Sequence, residues 1–119
     1  MILKKLESKI CYKFRDINLL KLALIHKSSN NKTNNERLEF LGDSILNSAI
    51  SDYLYCNFPF ENEGLLTRMR SFIVKGDTLT KKATELRLQD FIKLSKGTAN
   101  LSHKRKHSIL EGSIESIIG

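Results

Sequence analysis

Three acids stand close together in the segment NNERLEFLGDSILNSAI, residues 34–50: Glu36, Glu39 and Asp43, set among Leu38, Phe40, Leu41, Ile45 and Leu46. On a helix, Glu39 and Asp43 are one turn apart and their side chains stack on one face. Like charges at that spacing cost roughly 0.2–0.5 kcal/mol on an exposed surface, and more when apolar neighbours strip water from them. Two readings remain open. The acids form the solvated side of an amphipathic helix, or they are carboxylates held for a cation. Oxygen ligands with nothing soft beside them favour Mg²⁺ or Mn²⁺ over zinc.

The elements that must hold these acids are helices. Apolar residues recur at spacings of three and four along most of the chain, and no convincing strand period or repeat occurs, so the class is all-α. DINLLKLALIH, residues 16–26, sets Ile17, Leu20 and Leu24 on one stripe with Leu19, Leu22 and Ala23 beside it. That predicts a mostly buried helix with Asp16 as its N-cap. SSNNKTNN is a polar loop ending in Thr33-Asn34-Asn35-Glu36, a capping-box arrangement in which Thr33 or an Asn caps. The next helix runs to about Tyr55, with Leu38, Leu41, Ile45 and Leu46 expected to bury it, and Pro59 and Gly64 break the pattern. Two helices then meet near Lys75-Gly76-Asp77, with Asp77 or Thr78 capping the second. QDFIKL is a short helix or turn, SKGTANLSHKRKH a basic loop, and SILEGSIESIIG a last helical segment.

Length and composition bound the rest. The chain has 119 residues, enough for one domain with one core. Its longest apolar runs are far shorter than the ~20 residues of a membrane span, and no signal-peptide pattern follows Lys4 and Lys5. A cytoplasmic protein without a membrane segment is expected. Cys11 and Cys56 form no C-x-x-C pattern and read as reduced thiols in or near the core. Twenty Lys and Arg against thirteen acids give a net charge of +7. A positive surface with a local acidic cluster suits a polyanion and a divalent cation at one place, although an AT-rich genome would also favour lysine. Arg68, Arg70, Lys75, Lys81, Lys82 and the run from His103 to His107 are candidate phosphate contacts. As a lone histidine, His26 is expected to hydrogen-bond locally.

The string NNERLEFLGDSIL resembles the signature of the ribonuclease III family of double-stranded-RNA endonucleases. LLKLALIHKSS upstream, FPFENEGLLTRMRSFIVKGDTL after the signature helix and HSILEGSIESIIG near the end are similar to further segments of that family, in its order and spacing. The resemblance covers essentially the whole chain. It implies the helical endonuclease-domain fold over residues 1–119, without the last helices that usually close the domain and without a double-stranded-RNA-binding domain.

The resemblance also implies roles. Glu39 and Asp43 match two of four carboxylates that bind the catalytic Mg²⁺, for which Mn²⁺ can substitute, and Glu115 matches the fourth. Glu36 and Glu63 match acids lining the valley that receives RNA. Phe40, by itself an ordinary core residue, corresponds to an aromatic in a homodimer interface, and Gly42 to a close helix approach. No organic cofactor is implied. The third carboxylate, an aspartate in the family, falls on Gly112. Glu111, one residue earlier, shares a helix face with Glu115 and is a candidate replacement ligand. The implied activity is Mg²⁺-dependent hydrolysis of double-stranded RNA to 5′-phosphate and 3′-hydroxyl ends in RNA processing. The alternative, prompted by Gly112, is a catalytically impaired dimeric RNA-binding or structural subunit. A basic helical DNA-binding module ranks last, for want of a helix-turn-helix cue.

Overall fold

The computed structural model describes residues 2–29, 32–94 and 103–119. Six helices and one 3₁₀ turn make up the described part: α1 Ile2–Ile10, α2 Ile17–Ala23, α3 Glu36–Asn57, α4 Glu63–Val74, α5 Gly76–Glu85, the turn Leu88–Asp90, and α6 His103–Ile118. Among the described residues there is no strand, only an isolated parallel bridge between Ile25 and Lys93.

α6 is the central element, packing chiefly on α3 and α5 and touching α2 and the 3₁₀ turn. The core is aliphatic: Leu6 from α1, Leu20 from α2, Leu79 and Ala83 from α5 and Ile114 from α6, joined by Leu24 and Leu88. Fully buried leucines such as Leu6, Leu20 and Leu88 each contribute about 1.5–3 kcal/mol relative to exposure. The predicted α2 stripe is right at Leu20 and Leu24, and Asp16 Oδ1 accepts from the Asn18 N–H at 3.0 Å as its cap. Leu19, expected beside the stripe on a mostly buried helix, is 50% exposed.

Several expectations change. In α3 only Gly42 and Leu54 are buried. Leu38 and Leu46 are half-buried, while Leu41 and Ile45 are exposed. α6 and α4 both pack on this long helix, yet Leu41 and Ile45 stay exposed. Both cysteines are exposed rather than core residues. Cys11 ends α1 in a left-handed conformation, φ 57°, which turns it outward at a helix end. The α5 cap is Lys75, making no side-chain cap bond, and Asp77 lies in the first turn. The basic run His103–His107 is the start of α6, not a loop; residues 95–102 of the expected loop lie outside the described residues.

The α3 start is also more specific than a capping box. Asn34 Oδ1 accepts from the Glu36 N–H at 3.0 Å, while the Asn35 side chain turns inward. Asn35 Nδ2 donates to the Ala23 carbonyl at 2.9 Å, and Ser116 Oγ donates to the same oxygen at 2.7 Å. Asn35 N donates to the Ile25 carbonyl at 2.9 Å. The end of α2, the start of α3 and the last turns of α6 are thereby tied by satisfied buried polar groups.

Candidate active site

Gly42 explains why acids from two helices meet. A Cβ built there would overlap the backbone carbonyl of Glu115, so only glycine permits α3 and α6 to cross at this separation. The crossing sets Asp43, the next residue on α3, opposite Glu115 on α6. Glu39 lies one turn back along α3, and Glu111 one turn back along α6. These four acids line one cleft of about 430 Å³ together with Glu36, His26, Lys27, Asn35, Phe40, Ser108 and Ile109.

The electrostatics are those of acids in enforced proximity. Burial pushes the Glu115 carboxyl up to about 8, assisted by a hydrogen bond with Asp43 and by the charges of Asp43, Glu39 and Glu111. Burial likewise raises Glu39; Lys27 opposes the rise, and Glu111, Glu36 and Asp43 add to it. Glu115 therefore holds its proton more tightly than an ordinary carboxyl, because its charged form would be buried and would face other acids.

Among the described residues no three His, Cys, Asp or Glu side chains converge into a preformed metal cage. The donor set nevertheless fits a hard divalent cation. It consists of carboxylate oxygens, those of Glu39, Asp43 and Glu115 lining one cleft from two helices. Mg²⁺ takes one or two protein carboxylates and keeps waters for its remaining positions.

Other expected site residues fall as follows. Glu36 and Phe40 line the cleft. Phe40 is not a core residue: its side chain is 78% exposed. Glu63 begins α4 outside the cleft, where its Oε1 accepts from Thr67 Oγ1 at 2.9 Å. It lines a separate recess with Ser51, Leu54, Tyr55, Leu66, Thr67 and Arg70. The Glu111 carboxylate reaches to Gly76 at the start of α5: a Cβ on Gly76 would lie 2.8 Å from its Oε2. Its charge reaches Glu39 and Glu115, but its oxygens lie at a helix N-terminus, where a negative charge is favoured.

Of the basic candidates, Arg70 Nη1 donates to Ser51 Oγ at 2.8 Å, and Lys75 Nζ stands 4.5 Å above the Phe72 ring. Lys82 pairs with Glu85 at 3.7 Å. His26 accepts the Ser28 N–H on Nδ1 at 3.1 Å, so its neutral form carries the proton on Nε2. Burial lowers its pKa, with Lys27 and Arg105 adding to the effect. Lys27, Asn35 and Ser108 were not singled out for this cleft from the sequence. Asn35 looked like one more polar residue in an asparagine-rich loop, and neither periodicity nor spacing distinguishes it from Asn34.

This all-helical fold, with carboxylates from α3 and α6 meeting across a glycine crossing, has known counterparts. Residues 16–119 match the family described as Ribonuclease-III-like, and the chain belongs to that family. It is 50% identical over 115 residues to ribonuclease 3 of Vibrio campbellii and 49% identical over 117 residues to that of Vibrio cholerae. These alignments take in 97% and 98% of the chain and 51% and 52% of the relatives, so the chain spans about half their length. The nuclease domain of ribonuclease III from Campylobacter jejuni superposes with a TM-score of 0.91 at 43% identity, covering 97% of this chain and 80% of that one. Dicer from Pichia stipitis superposes at 0.64 and 32% identity, over 88% of this chain and 46% of its own. The fold is therefore that of the ribonuclease III nuclease domain, as the sequence resemblance implied.

Proposed function

We propose that the chain is the catalytic domain of a double-stranded-RNA endoribonuclease that acts as a homodimer in the cytoplasm. The observation that carries this reading is the placement of Glu39, Asp43 and Glu115, from two helices, on the wall of one open cleft. Glu39, Asp43 and Glu115 would hold a divalent cation, Mg²⁺ or Mn²⁺. When bound, it would lower the pKa of a water and offset charge on the phosphate. The chain's own part is to deliver ionised carboxylates. Glu115 gives up its proton on loading, and Lys27 lowers the cost of ionising Glu39.

Exposed Lys104, Arg105 and Lys106 at the start of α6 precede Ser108 and Ile109 on the cleft wall. They suit contact with a phosphate backbone independent of sequence. The 2′-hydroxyls and A-form shape would select RNA. Phe40, Leu41 and Ile45, respectively 78%, 47% and 40% exposed on α3, supply the apolar face for a second copy. Hydrolysis would leave 5′-phosphate and 3′-hydroxyl ends, a chemistry suited to processing of structured RNA such as ribosomal precursors.

One observation favours a second reading, an RNA-binding or structural dimer impaired in cleavage: Gly112, buried on α6 against the Glu39 carboxylate, brings no carboxylate of its own. The test is incubation of the chain with long duplex RNA and Mg²⁺ beside Glu39→Ala, Glu115→Ala and Gly112→Asp. Cleavage by the unmodified chain, lost in both alanine variants, supports the enzyme. Cleavage appearing only in Gly112→Asp overturns it in favour of the binding subunit.

A further inference from the structure

Resting on the divalent-cation reading above, we propose that Gly112 is a positioning residue: its missing side chain seats the Glu39 carboxylate against α6, where Glu39 serves as a ligand beside Asp43 and Glu115. A Cβ built on Gly112 would lie 2.7 Å from Glu39 Oε2, 2.9 Å from Cδ and 3.1 Å from Oε1. All three are atoms of one carboxylate, and they are the nearest atoms to that position. The carboxylate therefore lies directly over the Gly112 Cα, and no side chain fits at 112 without moving it.

Glycine is otherwise unfavourable in a helix interior, and Gly112 is buried in the middle of α6. The seat gives it a local function. Glu111 is poorly suited to the same task, because its carboxylate lies against Gly76 at the start of α5. Two glycines thus sort two acids: Gly112 draws Glu39 from α3 onto α6, and Gly76 leaves room for Glu111 at α5. Carboxylates from α3 and α6 then stay on one wall of the cleft without an aspartate at 112.

The test is a double-mutant cycle on Mn²⁺ affinity, read by titration calorimetry and by the electron paramagnetic resonance of free Mn²⁺, over the unmodified chain, Gly112→Ala, Glu39→Ala and the double variant. Gly112→Ala is expected to weaken Mn²⁺ binding on the order of tenfold, as coupled neighbours do. With Glu39 already replaced, the same change should have no effect. Unchanged or tighter binding by Gly112→Ala overturns the proposal, as does an equal loss in both backgrounds. Should Gly112→Ala fail to fold by circular dichroism, rescue by the added Glu39→Ala reports the same steric coupling, and no rescue overturns it. If the unmodified chain binds no Mn²⁺, the metal-centre reading fails and takes this proposal with it; binding with an additive cycle removes the proposal alone.

Discussion

Replacing Gly42 with alanine sets helix propensity against tertiary packing. Within an isolated helix the change would gain about 1 kcal/mol, because glycine has more backbone entropy to lose. Here the new methyl would overlap the Glu115 carbonyl oxygen, come 2.5 Å from its carbonyl carbon and stand 2.9 Å from Gly119 N. All these are backbone atoms, so relief requires α6 to move as a body. Overpacking of this kind costs typically about 1–3 kcal/mol and occasionally more. With a backbone overlap putting the cost at the upper end of that range, about 3 kcal/mol, the net loss is about 2 kcal/mol, which for a domain of this size lowers the melting midpoint by roughly 6–10 °C.

Gly112→Ala provides the contrast within the same pair of helices. The nearest atoms to its methyl are the end of the Glu39 side chain, which can turn aside without moving a backbone, so the propensity gain should survive and the midpoint should hold or rise. The assay is urea and thermal unfolding of both variants beside the unmodified chain, followed by far-UV circular dichroism. A Gly42→Ala midpoint equal to or above that of the unmodified chain would refute the close crossing. The crossing is also what carries Glu115 to Asp43, so Mn²⁺ affinity should fall in that variant together with stability.

Three further outcomes are expected. Because Glu115 is raised from 4.5 to about 8, it stabilises the fold fully below its unfolded value, and that contribution is lost as pH rises through about 8; metal-free urea unfolding from pH 5 to 8.5 should show a smaller decline in Glu115→Gln, and identical slopes would contradict the assignment. Asn35→Ala removes the 2.9 Å bond to the Ala23 carbonyl and should cost about 1–3 kcal/mol in urea unfolding, whereas a loss below about 0.5 kcal/mol would show the network to be dispensable. Phe40→Asp, at a side chain 78% exposed in the single chain, should reduce a dimeric sedimentation coefficient to that of a monomer with the helical spectrum intact; an unchanged dimer would argue that the apolar face of α3 is not the contact.

Much of this protein was legible in one dimension because local chemistry carried it. The three- and four-residue spacing of apolar side chains determined an all-helical class, Asp16 announced its own cap, and Pro59 marked the end of α3 to within two residues. Glu39 and Asp43 lie on one helix face by spacing alone. Their partner Glu115 came from the family resemblance, since nothing local links residues seventy positions apart.

Tertiary structure decided what each of these residues faces. Leu41 and Ile45 are apolar like Leu20 and Leu24, yet they are exposed, because α6 and α4 pack on other parts of α3 and periodicity cannot say which side of a helix acquires a neighbour. Asn35 looked like a loop residue until the ends of α2 and α6 were brought around it. Gly42 and Gly112 look alike in sequence, each a poor residue in a helix interior. The backbone of α6 makes the first a requirement of the crossing, and the Glu39 carboxylate makes the second a seat. That difference rests on distances across two helices, which no local propensity encodes.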